Sequence, residues 1–151
     1  MSRKINEGAI WIVDEDGEDH ELIEEIFEEL KYKNPLTFFN GAKSLLYALD
    51  KEEVAPFIII SDINLPGIDG FELREKLLAT PNNKFHSVPF IFWSTNASEE
   101  QIRKSFELRA HGFFIKESRF EDWKVSFIHV IEYWRRSRMP SKEDKPDKKL
   151  L

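Results

Sequence analysis

The residues able to do chemistry fall in four short groups: Asp14, Glu15 and Asp16; Ser61, Asp62 and Asn64; Ser94 and Thr95; and Lys116. Each group follows a short apolar run. If those runs are neighbouring strands, three or more acids, a hydroxyl and an ammonium converge on one edge. Carboxylates within about 4 Å of each other repel by roughly 4 kcal/mol a pair at an effective dielectric near 20. Such a cluster binds a hard divalent cation, titrates abnormally, or does both. Magnesium fits best, because it takes a few carboxylate and carbonyl oxygens plus water and leaves positions open for a phosphate. A phosphoryl group on Asp62 would bring further negative charge. Ser94 could donate a hydrogen bond to it, and Lys116 could pair with it as a point charge. The pattern reads as phosphoryl transfer to an aspartate.

The elements that must position these groups show in the hydrophobic period. Residues 9–13, 36–39, 57–60, 88–93 and 113–115 are short β-branched or aromatic runs bounded by Gly, Pro, Asn or Asp, and they predict strands buried on both faces. Between them, Leu22, Ile23, Ile26, Phe27 and Leu30 recur at helical spacing, as do Leu45, Leu46 and Leu49, and Phe71, Leu73, Leu77 and Leu78. A fourth helix is expected to begin at the N-cap Ser98, with Ile102 and Phe106 facing inward, and a fifth to cover residues 120–138, burying Trp123, Phe127, Ile131 and Trp134. Five strands alternating with five helices imply an α/β fold, a doubly wound parallel sheet joined by right-handed crossovers. Ligands of such sheets collect beyond the carboxyl ends of the strands, where strand order reverses. That is where the four groups stand.

The order of these elements carries a resemblance. Val13-Asp14-Glu15, then the run from Phe57 through Ser61-Asp62-Ile63-Asn64-Leu65-Pro66-Gly67-Ile68-Asp69-Gly70 to Phe71, then Val88-Pro89 ahead of Ser94, then Gly112-Phe113-Phe114-Ile115-Lys116, resemble a response-regulator receiver domain of the flavodoxin-like, CheY-like kind. The likeness spans roughly residues 9–136. It implies that Asp62 is the phospho-acceptor, that Glu15 is a direct magnesium ligand, that Asp14 holds the ion through water, and that Asn64 supplies its backbone carbonyl. Ser94 with Thr95 and Lys116 would serve the phosphate, and Phe113 would be an aromatic whose burial changes. Pro66-Gly67 and Asp69-Gly70 would shape the loop after the acceptor. One departure stands out: the family usually places a proline after its lysine in a cis peptide, and here Glu117 follows Lys116.

Composition narrows the partners. The 151 residues suit one domain, here residues 9–138 between an N-terminal extension (1–8) and a disordered charged tail (139–151). Cysteine is absent, which excludes a disulfide scaffold, a thiolate zinc site and a cysteine nucleophile. A net charge of −6, with no recognisable DNA module, argues against nucleic acid. No secretory signal or span of about 20 apolar residues is visible, so no membrane insertion and a cytoplasmic location are expected. The expected partners are a sensor histidine kinase or phosphotransfer protein and an unnamed downstream protein target, with homodimerisation left open.

Plainer readings stand beside these. The acidic run from Glu18 to Glu29 reads as a solvated helix face. Trp93 and Phe113 read by default as core aromatics, and the four histidines show no metal spacing. Three functions compete. The first is a stand-alone receiver, a signalling phosphoprotein whose only chemistry is slow self-phosphotransfer and autodephosphorylation. The second is a receiver-like docking module that is never phosphorylated. The third is a haloacid-dehalogenase-like phosphatase with Asp14 as nucleophile and Asp16 as acid/base, which leaves Asp62 without a task.

Overall fold

The computed structural model describes residues 7–51, 54–80 and 85–140. Ten elements alternate along the chain: β1 (Ile10–Val13), α1 (Gly17–Leu30), β2 (Leu36–Phe39), α2 (Ala42–Leu49), β3 (Ile58–Asp62), α3 (Gly70–Ala79), β4 (Phe90–Ser94), α4 (Glu99–Glu107), β5 (Gly112–Ile115) and α5 (Phe120–Arg136). The strands form one parallel sheet in the order β2-β1-β3-β4-β5. Strand order reverses between β1 and β3, so the carboxyl ends of those two strands flank the crevice. The N-terminal extension and the charged tail lie mostly outside the described residues.

The apolar side chains of the inner strands divide between two cores. Ile10, Ile12, Ile58, Ile60, Ile91 and Trp93 pack against Ile23, Ile26 and Phe27 of α1 and Trp123, Phe127, Val130 and Ile131 of α5. Trp11, Val13, Ile59, Phe90 and Phe92 pack against α2 and α3 through Leu45, Leu49, Phe71, Leu73 and Leu77. The period of two along the strands is therefore divided between two apolar layers, which is why the strands read as unbroken apolar runs.

Several expectations change in detail. Burial on both faces holds for β1, β3 and β4, but β2 and β5 are the sheet's edges and are only partly covered. Asp62 and Ser94 are the last residues of their strands and Ser61 the last but one of β3, so none of the three lies beyond its strand. Trp134 is half-buried. Phe106 is 61% exposed and does not face inward; the α4 residue that is fully buried is Ser105. A small side chain there seats the helix, and its Oγ donates to the Ile102 carbonyl (2.7 Å). Phe106, about 100° further round, is turned to solvent. Ser98 caps α4 as expected, in a reciprocal capping box with Gln101.

One charged side chain of α3 lies in the interior. Arg74 of α3 is 3% exposed. Its Nε donates to the Leu108 carbonyl (3.0 Å), its Nη2 to that of Arg109 (2.9 Å), and its guanidinium lies 5.0 Å from the Phe90 ring centroid. Burial, and behind it the charge of Arg109, pushes its pKa down to about 10. α3 thereby grips the end of α4, where carbonyls lack helical partners.

Candidate functional site

Asp14 leaves β1 with no exposed surface, and its Oδ1 accepts from the backbone N–H of Asp16 (2.8 Å). Asp62 ends β3, and its Oδ1 accepts from the backbone N–H of Asn64 (3.0 Å). The other oxygen of each carboxylate meets Lys116. The ammonium donates to Asp14 Oδ2 at 2.8 Å, to Asp62 Oδ2 at 2.7 Å and to Asp19 Oδ2 at 2.9 Å. All three N–H donors of the lysine are thus taken by carboxylates. Lys116 comes from the far side of the sheet, just past β5, and its own N–H is held by the Ser94 carbonyl (2.8 Å).

Asp19 belongs to this cluster although it sits in the acidic run read as a solvated face. The signal was its place in the first turn of α1, whose N-cap Asp16 stands in the site loop; Asp16 Oδ1 accepts from the N–H of Glu18 (2.9 Å). From that first turn Asp19 reaches Lys116, while Ile23, Ile26 and Phe27 further along the helix are buried in the core. His20, also treated as ordinary, donates from Nε2 to the Asp14 carbonyl (2.6 Å) and stacks on Phe38 with ring centroids 4.5 Å apart.

The remaining sequence-derived residues divide. Ser94 is fully buried at the end of β4, one residue past Trp93, the strand partner of Asp62, and its hydroxyl donates to the Asn96 carbonyl (2.7 Å). Glu15, Asn64 and Thr95 are exposed at the mouth of the crevice. Phe113 is half-buried and packs against the α2–α3 core. The Lys116–Glu117 peptide is trans. The loop after Asp62 uses its glycines as expected. Gly67 has φ +73, and Gly70 brings the start of α3 so close that a Cβ there would stand 2.3 Å from the Asp62 carbonyl oxygen.

Electrostatics follow from this crowding. Burial pushes the Asp14 carboxyl up to about 6, against the pull of Lys116. Burial alone would lower the Lys116 pKa, but its three carboxylate partners hold the ammonium above the ordinary lysine range. With Asp14, Asp19 and Asp62 ionised, the crevice carries two more negative charges than positive. Among the described residues no three acidic or histidine side chains are arranged as a metal cage. The donor set still suits a hard cation: the oxygens of Asp14 and Asp62 face one crevice, their excess charge is what a divalent ion offsets, and the Asn64 carbonyl and Glu15 lie at its mouth.

Against the phosphatase reading, the carboxylate of its acid/base, Asp16, caps α1, and Asp62 stands in the crevice on Lys116 with no task in that chemistry. Among the described residues, no helix is long and apolar enough to cross a membrane.

Comparison with known proteins agrees with this fold. The family described as response regulator receiver domain matches residues 10–126. The probable methanogenesis regulatory protein FilR2 of Methanothrix harundinacea is 24% identical over 129 residues, covering 83% of this chain and 82% of that protein. The crystal structure of the phosphorylated cyanobacterial phytochrome response regulator RcpA superposes with a TM-score of 0.79 at 21% identity, covering 89% of this chain and 99% of that one. The receiver domain of the sensor histidine kinase PA1611 from Pseudomonas aeruginosa PAO1, solved with a magnesium ion in its active-site cleft, superposes with a TM-score of 0.70 at 17% identity, covering 86% and 98%.

Proposed function

The chain belongs to the response-regulator receiver family, whose members are signalling proteins and not classical enzymes, and from that premise we propose that Asp62 is its phospho-acceptor. Receiver domains interact with histidine kinases or phosphotransfer proteins, and the donor proposed here is a phosphohistidine on such a partner. One Asp62 carboxylate oxygen attacks the phosphorus, the P–N bond breaks, and the imidazole nitrogen leaves with the electron pair. Water later attacks the aspartyl phosphate and returns the carboxylate and inorganic phosphate.

The observation that carries this reading is the Lys116 ammonium gripping Asp62 Oδ2 at 2.7 Å inside a crevice of excess negative charge. That ammonium is in place to neutralise a phosphoryl oxygen added to Asp62. Ser94, whose hydroxyl now serves the Asn96 carbonyl, turns to donate to the phosphoryl group, with Thr95 beside it. Asp14, Glu15, Asp62 and the Asn64 carbonyl would hold magnesium, which when bound supplies further charge neutralisation at the phosphoryl oxygens. Signalling then follows through altered protein binding, with Phe113 among the residues whose burial changes.

The test is labelling with acetyl phosphate and magnesium, with the label located by peptide mass. A base-labile label on the Asp62 peptide, lost in Asp62→Asn, is expected. No label, with magnesium still bound, would make the chain a docking module. A label on Asp14 would overturn the assignment.

A further inference from the structure

Lys116 follows an edge strand, so its backbone has a strand neighbour on one side only. The loop after it has few constraints of its own. Glu117, Ser118 and Arg119 are exposed, and the N-cap residue of α5, Arg119, makes no side-chain cap. Yet the ammonium must stay aimed at Asp62. Two tryptophans stand where such aim could be set. The Trp93 ring centroid lies 5.2 Å from Lys116 Nζ. Trp123 of α5 donates from Nε1 to the carbonyl of Glu117, the residue next to the lysine. The two indoles meet edge to face, with centroids 5.0 Å apart and planes at 69°, and Phe127 closes on Trp93 from behind at 5.8 Å and 86°.

We propose that Trp123 is a positioning residue for Lys116, acting by capture of the Glu117 carbonyl and by bracing the Trp93 ring beneath the ammonium. The two indoles differ in how they use their polar atoms. Trp93 Nε1 is buried without a hydrogen-bond partner, so the ring is held by packing, and what it offers the site is its π face. Trp123 uses its N–H on the loop and its ring on Trp93. A pinned peptide on one side and a braced ring below leave Lys116 little freedom except toward the carboxylates. In this chain the loop is thus restrained from α5, at the point where a residue other than proline follows the lysine.

The inference rests on the Asp62 reading for its kinetic readout but not for its structural one. In the wild-type chain, the ammonium of Lys116 should give a slowly exchanging side-chain 1H–15N signal, identified by its loss in Lys116→Met. In Trp123→Phe, which keeps a ring and removes the N–H, that signal should broaden or vanish while cooperative urea unfolding persists. Trp93→Leu should act in the same direction by removing the π face, which keeps the test open if one variant fails to fold. Asp62 labelling by acetyl phosphate should slow by about tenfold in Trp123→Phe, the scale of a small misplacement of a charge-stabilising group. In the Lys116→Met background, Trp123→Phe should slow it no further.

An unchanged ammonium signal in both folded variants would overturn the proposal. So would full additivity with Lys116→Met, which is the mark of a purely structural role. If the wild-type chain takes no label while Trp123→Phe still abolishes the ammonium signal, the functional reading fails and the positioning role stands.

Discussion

Gly70 and Asp62 touch through their backbones: the space a Cβ on Gly70 would need is filled by the Asp62 carbonyl oxygen, 2.3 Å away, and the Gly70 N–H donates to the neighbouring Ile63 carbonyl at 2.9 Å. The first turn of α3 is therefore docked against the backbone that carries the proposed acceptor. Gly70→Ala should push α3 off β3 and lower the unfolding free energy by about 2–3 kcal/mol, the scale of an overpacked core. Urea unfolding checks this. Gly67→Ala, where φ is +73 but space is open, should cost about 1 kcal/mol and leave labelling close to wild type.

Asp14 is the most deeply buried of three carboxylates sharing one ammonium. Removing its charge leaves Lys116 two partners and relieves repulsion in a crevice of excess negative charge. In EDTA, Asp14→Asn should therefore raise stability by about 1 kcal/mol, a sign opposite to that for breaking an isolated buried pair. The same variant should lose magnesium-dependent labelling. A destabilised Asp14→Asn chain in EDTA would show that Lys116 depends on this partner more than burial of the carboxylate opposes it.

Arg74 holds the carbonyls of Leu108 and Arg109 from beneath. Arg74→Met keeps much of the apolar stem and strands those acceptors, so a loss of about 1–3 kcal/mol is expected. Hydrogen exchange should rise at the end of α4 and the entry to β5, and stay unchanged in α1.

Phe106 and Phe92 share a side chain and differ in place, one 61% exposed and the other fully buried. Phe106→Ala should shift stability by less than about 0.5 kcal/mol, whereas Phe92→Ala should cost about 3–5 kcal/mol. Equal losses would return Phe106 to the core.

Tyr32 offers a pH test away from the site. Burial, then the charge of Glu132 and its contact with the phenol at 3.3 Å, raise its pKa above the ordinary tyrosine value. The folded chain then keeps this proton at pH values where the unfolded chain has lost it. Stability from this group is present below about pH 10 and falls as pH rises beyond it. Absorbance titration of tyrosinate should show a late component that Tyr32→Phe removes and Glu132→Gln shifts downward.

The fold class was legible in the sequence, and so was the placing of polar residues where strands stop. Ile58–Asp62 and Phe90–Ser94 are legible because a strand buried between two helical layers must be apolar on both faces, so a polar residue marks where it stops. Asp14, Asp62 and Lys116 stood out for that reason. The parts that depend on rotation about a helix axis, or on which elements become neighbours, could be read only from the tertiary structure. Phe106 and Ser105 are adjacent in sequence, and only the seating of α4 decides that the serine is the one buried. Asp19 is one acid among many in the sequence, and it becomes a partner of Lys116 because the first turn of α1 lies across the crevice from β5. Arg74 looks like a surface arginine until the unsatisfied carbonyls after α4 are brought over it. Periodicity records which face of an element is apolar; which charged group meets which is decided when the faces close, because those contacts join residues far apart along the chain.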